Sequence, residues 1–404
     1  MNSTLRSEEA VGAEIVSSQL LVDVSVILRS DAQTGIQRVV RALLRALLDA
    51  DLQGYVVRPV YATRKKGYTY ASLDEPLFMG CVGLESVPVG PVSVRSGDIF
   101  LALDLAANIL PLHRRQLATW RRSGCRIATV MYDLLPALRP DWFNPKTRRN
   151  YRSWLGVVTK HSDQIICISR DVADELGRWV AARPWRGNRR LAIDCMRLGS
   201  DLQESAPSRG LPHNAASIFE QLALKRMLLV VGTIEPRKGH DCLLPAFELL
   251  WGQPGNDDLL LVVVGRPGWK TEQLQVRMRS HPERGDRFFW FDDASDEFLN
   301  RLYALARGVI VPSHAEGFGL PLAEAVGHGV PVLARELPVF KAMQLVNVTY
   351  YSRDEPQFLA ASIKSWMDGY GTNASSGNLP PTWSESFADL LKSLSIKKCD
   401  DCSK

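Results

Sequence analysis

Short apolar runs, separated by longer amphipathic segments, recur along most of the chain. A run of four to seven apolar residues between polar turns is typical of a strand buried in a sheet. We predict such strands at 20–25, 56–61, 98–104, 125–131, 164–169, 226–232, 259–265, 288–291, 308–311 and 331–334. Residues 36–48 place their apolar side chains on one helical face, and similar segments follow several of the other strands. Strands that alternate with helices predict an α/β fold.

The length of the chain predicts two domains, because 404 residues exceed the roughly 250–300 that one core serves. A polar segment with Gly, Pro and His lies near the middle and is the natural boundary. The predicted organisation is a loose N-terminal extension at 1–18, an N-terminal domain at 19–205, a linker at 206–224, a C-terminal domain at 225–380, a terminal helix at 381–395 and a tail at 396–404.

The composition is that of an ordinary soluble protein, with 46% hydrophobic and 23% charged residues. Seven cysteines are scattered without a disulfide framework, which favours a reducing compartment. No run reaches the ~18 apolar residues that span a bilayer, and the N-terminus lacks the basic-then-apolar pattern of a signal peptide. We therefore expect a cytoplasmic protein.

Positive charge is concentrated in the first half of the chain. Residues 1–200 hold 28 Lys and Arg against 19 Asp and Glu, whereas the remainder holds 21 against 25. Arginine and aromatic residues interleave at 120–122, 148–154, 178–179 and 183–190. Such a surface fits an anionic membrane leaflet, a nucleic acid or plain solvent. Because no nucleic-acid module is recognisable, we expect no nucleic-acid partner and favour peripheral contact with the inner membrane leaflet, with a solvated face as the alternative.

The segment 312–331, PSHAEGFGLPLAEAVGHGVP, follows a predicted strand. Gly317 and Gly319 precede Pro321 and an Ala-rich stretch, which is the punctuation of a glycine loop that leads into a helix. The unpaired N–H groups at such a helix start can bind an anion. Glu316 precedes the glycines and Glu324 lies in the helix, where a carboxylate is suited to neutral hydroxyls such as a ribose diol. The segment predicts a nucleotide-activated, hydroxyl-rich ligand.

Two further turns, one with a glycine and one with basic residues, indicate the same ligand. Gly35 lies between a predicted strand and the helix at 36–48, so it predicts a turn that a phosphate can approach. Arg237 and Lys238 follow the strand at 226–232 and are placed to neutralise a diphosphate. The GxGxxG fingerprint of dinucleotide-binding proteins is absent. Without a DxD motif on a suitable strand-end loop, no metal is implied.

Asp104, Tyr132 and Asp133 are candidates by position, since ligands bind at the C-terminal ends of strands in open α/β sheets. We expect Asp104 and Tyr132 on the acceptor side. The alternative for Asp104 and Asp133 is that each carboxylate only caps the turn that follows its strand.

The string EGFGLPLAEA at 316–325 resembles the E-x7-E signature of the family 4 retaining glycosyltransferases, also called group 1, which have the GT-B fold. The resemblance implies two Rossmann-like domains that face each other across a cleft. It also implies that Glu316 faces the donor sugar and that Glu324 holds the ribose. The donor-binding loop would consist of Gly317, Phe318, Gly319 and Leu320.

The resemblance extends to the basic turn and to the N-terminal domain. GTIEPRK at 232–238 is similar to the diphosphate-binding turn of the family: Lys238 matches its Lys, Thr233 stands where it has Arg, and Arg237 would substitute. TGIQRVVRALLRAL at 34–47 is similar to the glycine turn and helix that lie against the donor. Tyr132 stands where the family often has His, next to the Asp at 133. The helix at 381–395 resembles the terminal helix that can cross back onto the N-terminal domain.

Two smaller similarities concern the donor's sugar and base. GRPGW at 265–269, which begins with Gly265, resembles a turn of O-antigen mannosyl- and rhamnosyltransferases. Phe291 ends a strand that in this fold lies near the nucleotide base. The donor is therefore expected to be a GDP-sugar of the mannose or rhamnose type.

The resemblance implies a retaining, metal-independent hexosyltransferase without a cofactor other than the nucleoside diphosphate sugar. Its acceptor would be a growing, lipid-linked surface glycan such as lipopolysaccharide O-antigen. The catalytic candidates are Glu316, Asp133, Arg237 and Lys238.

Two alternatives remain open from the sequence. One is a sugar phosphorylase or sugar-nucleotide epimerase with a similar fold. The other is a catalytically silent scaffold that binds a sugar nucleotide, an alternative that the departures at Tyr132 and Thr233 keep open.

Overall fold

The computed structural model describes residues 17–72, 74–78, 88–183, 191–205, 207–369 and 377–399. It contains two sheets, and the predicted strands of the N-terminal half form the first. The strands of this sheet are β1 (Ser18–Asp23), β2 (Tyr55–Tyr61), β3 (Thr69–Tyr70), β4 (Ile99–Ala102), β5 (Arg126–Met131), β6 (Gln164–Cys167) and β7 (Ala192–Cys195). Their spatial order is β3-β2-β1-β4-β5-β6-β7, and all pairs are parallel except β2 with β3.

The second sheet is entirely parallel. Its strands are β8 (Arg226–Val231), β9 (Leu259–Val264), β10 (Phe288–Phe291), β11 (Gly308–Val311), β12 (Val332–Arg335) and β13 (Val348–Tyr351). They lie in the order β10-β9-β8-β11-β12-β13. Because helices cover both faces of such a sheet, its central strands are apolar throughout, and every residue of β9 and β11 is buried.

Helices connect the strands in both halves. In the N-terminal half they are α1 (Gly35–Leu48), α2 (Arg114–Arg122), α3 (Leu135–Leu138), α4 (Pro145–His161) and α5 (Arg170–Ala181). In the C-terminal half they are α6 (Ala215–Ala223), α7 (His240–Trp251), α8 (Glu272–Arg279), α9 (Asp296–Leu305), α10 (Leu320–Gly327), α11 (Pro338–Met343), α12 (Pro356–Asp368) and α13 (Trp383–Leu394). None of these helices is long and apolar enough to cross a membrane.

The prediction of an α/β protein with two Rossmann-like domains is confirmed. All ten predicted strands exist, but several end earlier than predicted. After β1 the Asp23 carboxylate accepts from the Ser25 N–H, and after β6 the Ser169 hydroxyl accepts from the Val172 N–H at the start of α5. The strands β3, β7 and β13 were not predicted. They are short edge strands with partly exposed residues, so they lack the continuous apolar pattern of a central strand.

The segment expected to be a linker is not wholly irregular. It contains α6, which packs against β8 and α9 and so belongs to the C-terminal domain. The buried residues Ala215 and Leu222 anchor this helix.

The last helix lies on the N-terminal domain. A capping box between Thr382 and Glu385 starts α13, which packs against α1. The side chains of Arg126 and Gln164, at the start of two N-terminal strands, donate hydrogen bonds to carbonyls at the end of α13. The residues after the helix also contact this domain, since Gln53 donates to the Lys397 carbonyl oxygen at 2.9 Å. One continuous apolar cluster therefore runs through both domains.

Two tryptophans of the basic segments face inward rather than outward. Trp120 and Trp154 are buried in the N-terminal core, so neither can anchor a membrane surface. Arg183 stacks its guanidinium 4.4 Å from the centre of the Trp179 ring. Residues 184–190 of the predicted basic patch lie outside the described part of the chain.

Candidate active site

The glycine loop between β11 and α10 is the point at which the C-terminal domain touches the N-terminal sheet. A β-carbon at residue 317 would lie 2.1 Å from the Tyr132 carbonyl oxygen, so only glycine fits there. Ser169, at the start of α5, donates a 2.6 Å hydrogen bond to the Gly317 carbonyl. Gly319 has a φ of 106° and the ring of Phe340 beside it, which also excludes a side chain. The loop is thereby held against the end of β5.

Glu316, which belongs to this loop, pairs with two cationic side chains of the turn that follows β8. Arg237 Nη1 lies 2.6 Å from its Oε2 and Lys238 Nζ lies 2.5 Å from its Oε1, while Ser313 Oγ donates at 2.8 Å. Burial raises the pKa of Glu316, but Lys238 and Arg237 outweigh that effect and lower it to about 2. The carboxylate is therefore ionised at every physiological pH, which makes it a poor general base.

The basic turn and a carboxylate of the N-terminal domain complete this cluster. Arg237 also pairs with Glu235 at 2.8 Å, within the short turn that follows β8. Asp133, after β5, lies close enough to interact electrostatically with Arg237 and Glu316. Burial raises the pKa of Asp133, Arg237 lowers it, and Glu316 and Glu235 raise it further, so the net shift is upward. A diphosphate that binds Arg237 and Lys238 would compete with Glu316 for both cations.

Glu324 lies in the second half of α10 and is only 1% exposed. Its Oε2 accepts a 2.9 Å hydrogen bond from the Tyr303 hydroxyl, and its Oε1 pairs with Arg38 of α1. The starts of α1 and α10 face each other, since a β-carbon on Gly35 would lie 3.4 Å from Leu320 Cδ1. Two helix N-termini, and hence two sets of unpaired N–H groups, thus converge where the domains meet.

The remaining predicted donor residues lie at the same edge of the second sheet and are engaged in packing. The ends of β8 and β9 approach so closely that a β-carbon on Gly265 would lie 1.9 Å from the Gly232 carbonyl oxygen. Trp290 Nε1 donates to the Gly265 carbonyl at 2.8 Å. Phe291 meets Phe298 edge to face, with 5.0 Å between ring centres. Thr233, whose methyl group faces Gly268, is partly exposed at the same edge.

One known protein family matches the segment of the chain that contains most of these residues. The family described as glycosyl transferases group 1 matches residues 216–376, which include the basic turn, the glycine loop and both glutamates. The part of the chain that carries the site is therefore similar to the group 1 glycosyltransferases. The family resemblance of the sequence motifs is confirmed.

One similar protein aligns with nearly the whole chain. The serotype-specific mannosyltransferase WbdA of Escherichia coli is 38% identical over 384 residues, which is 94% of this chain. The chain spans 46% of the length of that relative.

Similarity to solved structures establishes the GT-B fold of this chain. Anabaena Alr3699/HepE, crystallised with UDP and glucose, superposes with a TM-score of 0.58 over 93% of this chain and 95% of its own, at 16% identity. The catalytic domain of starch synthase IV from Arabidopsis thaliana, bound to ADP and acarbose, gives 0.61 over 94% and 99% at 12% identity.

Two residues that were predicted as acceptor contacts are buried in the N-terminal domain. Asp104 is buried, and its carboxylate accepts hydrogen bonds from the N–H groups of Val26 and Ile27 at 2.7 and 2.8 Å. Tyr132 is also buried, and its hydroxyl donates to the Leu103 carbonyl at 2.7 Å. Both side chains stabilise loops inside the N-terminal domain, so neither faces the cleft.

Three residues of types that can bind a metal ion lie close together near the basic turn. Asp241, Cys242 and His314 place one potential ligand atom each within 4.8 Å of one another. Arg335 donates to His314 Nδ1 at 2.8 Å, which leaves the ring proton on Nε2, 3.8 Å from Asp241. The Cys242 thiol lies 3.0 Å from the Gly239 carbonyl, and burial raises its pKa to about 12. These groups are arranged to hydrogen-bond with the protein rather than to coordinate a cation.

Two residues of the site were not predicted from the sequence. Arg38 occupies a polar position of α1 and gives no signal of its partner, which lies 286 residues away. Ser169 accepts from the Val172 N–H as a helix cap, and its hydroxyl also donates to the glycine loop. The only available clue was that both residues lie at the start of a helix that follows a strand.

Proposed function

We propose that the chain is a retaining mannosyl- or rhamnosyl-type transferase that uses a nucleoside diphosphate sugar, with a GDP-sugar favoured. Its acceptor is a growing, lipid-linked surface glycan such as lipopolysaccharide O-antigen. The observation that carries the proposal is the pairing of Arg237 and Lys238 with Glu316 beside a glycine loop that opens a helix. That the relative WbdA is named a mannosyltransferase supports the choice of sugar.

In this proposal the C-terminal domain binds the donor. Arg237 and Lys238 neutralise the diphosphate, the N–H groups around Gly319 and Leu320 bind a phosphate, and Glu324 accepts from the ribose hydroxyls. The two cations stabilise the charge that grows on the leaving diphosphate as the sugar gains oxocarbenium character. Because they supply two positive charges, the proposal needs no metal for this step.

The carboxylates have separate roles. Glu316, ionised and held by two cations, orients hydroxyls of the donor sugar and does not act as a nucleophile. Asp133 is the carboxylate that the N-terminal domain adds to the cluster, and it is placed to accept from a hydroxyl of the sugar or the acceptor. Retention follows if the acceptor hydroxyl attacks from the face that the diphosphate leaves.

The experiment that tests this function is a transfer assay with a panel of GDP-, UDP-, ADP- and dTDP-sugars. Purified protein is incubated with each donor and a mannose-terminated acceptor, and the product's anomeric configuration is read by NMR. We expect transfer from GDP-mannose or GDP-rhamnose, an α-linked product from an α-linked donor, and unchanged activity in EDTA. Phosphate-dependent breakdown of a glycan would favour a phosphorylase, and donor binding without turnover would favour a silent scaffold.

We also propose that the N-terminal domain touches the anionic inner membrane leaflet. The helices α2 and α4 pack together and carry nine Lys and Arg but no Asp or Glu. Next to them, Leu112 and Leu138 are 49% and 44% exposed. Arg148, Arg149 and Arg152 line a cavity of about 390 Å³ with two prolines. Basic residues with protruding apolar side chains are suited to phospholipid headgroups.

A further inference from the structure

Arg38 joins the two domains at the carboxylate that the proposed function assigns to the ribose. A capping box between Thr34 and Gln37 fixes the start of α1, and Arg38 follows within the first turn. Its side chain is only 11% exposed and reaches across to the C-terminal domain. There one terminal nitrogen pairs with Glu324 and the other with Asp296.

Each of these carboxylates is held on its other oxygen by its own domain. Glu324 Oε2 accepts from the Tyr303 hydroxyl at 2.9 Å. Asp296 Oδ2 accepts from the N–H and the hydroxyl of Ser208, both at 2.9 Å. One oxygen of each carboxylate therefore remains for the guanidinium. Only arginine can meet both at once, because its planar group presents separate N–H donors in a fixed fork, whereas lysine offers a single point charge.

The two terminal nitrogens hold the guanidinium in place. Arg38 Nε is buried and has no hydrogen-bond partner among the described residues, so the ion pairs with Glu324 and Asp296 fix the position of the group. Burying a carboxylate with a single countercharge also makes that charge essential: without Arg38, Glu324 would keep only the neutral Tyr303 contact.

We propose that Arg38 is a positioning residue that makes donor binding depend on domain closure. It supplies the countercharge and the orientation of Glu324, and it does so only while α1 of the N-terminal domain lies against α10. This inference rests on the proposed function, in which Glu324 binds the ribose. It adds that the N-terminal domain controls the donor site, although the residues assigned to the nucleotide belong to the C-terminal domain.

The test is donor affinity, measured by titration calorimetry with GDP-mannose, or with whichever sugar of the donor panel the wild type binds. We expect Arg38→Gln to weaken donor binding about ten- to a hundredfold, since a charged partner of a buried carboxylate is lost. Arg41→Gln is the matched control. Arg41 lies one turn further along α1 and pairs with the half-exposed Asp31 instead of a donor-site residue. It should change the affinity less than twofold.

A double-mutant cycle separates positioning from a general effect on the fold. In a Glu324→Gln background, Arg38→Gln should weaken binding by less than twofold further, because its target is already gone. An equal loss in both backgrounds, or wild-type affinity in the Arg38→Gln single variant, would overturn the proposal. If Arg38→Gln does not fold, Arg38→Lys replaces it, with an intermediate loss expected and wild-type affinity as the contrary result.

Failure of the proposed function would show differently. Wild-type affinity in Glu324→Gln alone, or no binding of any sugar nucleotide to the wild type, would remove the ribose role of Glu324 and this inference with it. Loss of binding in Glu324→Gln but not in Arg38→Gln would overturn only the inference about Arg38.

Discussion

The two domains bury carboxylates in opposite ways. In the C-terminal domain, Glu316 is surrounded by Lys238 and Arg237, and its pKa falls to about 2. In the N-terminal domain, Asp23 is fully buried with only neutral donors, the N–H and hydroxyl of Ser25 and the hydroxyl of Tyr68. Burial and the charge of Asp104 raise its pKa to about 7, although those hydrogen bonds lower it.

In the proposed function, this difference separates a ligand-site acid from a structural one. Neutral hydrogen bonds satisfy the oxygens of Asp23 but do not compensate its charge, so the group contributes loop structure at the end of β1. The cations at Glu316 offset its charge, and an incoming diphosphate would compete with the carboxylates for them. Both acids are buried, so burial does not distinguish them, whereas the presence of cationic partners does.

The largest effect is expected from removing a cation of the Glu316 cluster. Lys238→Ala should lower kcat of sugar transfer by about a hundred- to a thousandfold, because a preorganised charge at the leaving diphosphate is lost. Lys225→Ala is the control, since Lys225 precedes β8 at the opposite end of the sheet and pairs with the exposed Asp286. Steady-state kinetics at saturating donor measures both variants. A loss below tenfold for Lys238→Ala would contradict its role.

Because no cation compensates the charge of Asp23 among its hydrogen-bond partners, we expect the stability of the protein to depend on pH. The pKa of Asp23 is raised on folding from 3.8 to about 7, so the folded state binds the extra proton between these values. The contribution of Asp23 to stability should therefore fall as pH rises from about 4 to 7, by up to about 1.4 kcal/mol per pH unit. Asp23→Asn should remove this contribution from the pH dependence in urea unfolding and leave that of Asp104, which has a similar slope but ends nearer to pH 6, where burial has raised its pKa. An unchanged slope would contradict the assignment.

Glu324 is intermediate between Glu316 and Asp23. It has a cationic partner, Arg38, but that partner belongs to the other domain. Losing a charge-assisted hydrogen bond costs roughly 1.5–3 kcal/mol, so Glu324→Ala should weaken donor binding about ten- to a hundredfold. Thermal shift and calorimetry with the preferred sugar nucleotide measure the loss. Glu220→Ala, which removes an exposed carboxylate from α6, should bind donor as the wild type does. Wild-type affinity in Glu324→Ala would remove this residue from the site.

The smallest effect per residue is expected at the surface. Arg149→Gln/Arg152→Gln should reduce binding to vesicles that contain anionic phospholipid about thirtyfold, since each of the two surface cations contributes ~1 kcal/mol. Arg209→Gln/Arg301→Gln removes the same charge from exposed positions of the C-terminal half and should have little effect. Co-sedimentation with anionic and neutral vesicles measures both variants. Equal binding to the two vesicle types would contradict a membrane-binding surface on α4.

Much of the candidate site could be predicted from the sequence because its parts are local. The loop from Glu316 to Leu320 and the turn with Arg237 and Lys238 each lie within a few residues of a strand end, and strand ends of parallel sheets meet at one edge. Asp104 and Tyr132 obey the same rule, yet their side chains are buried and hydrogen-bonded within the N-terminal domain. Position at a strand end does not reveal whether a side chain turns into the cleft or back into its own domain.

By itself, the sequence determined the alternation of strands and helices, the two domains and the residue types of the donor loop, because hydrophobic periodicity and glycine–proline punctuation act over a few neighbouring residues. Only the tertiary structure decided which charges meet. The pairing of Arg38 with Glu324, the crossing of α13 onto the N-terminal domain and the inward orientation of Trp120 and Trp154 all depend on contacts between distant segments. Such contacts leave no periodic pattern, since each arises from the packing of whole domains.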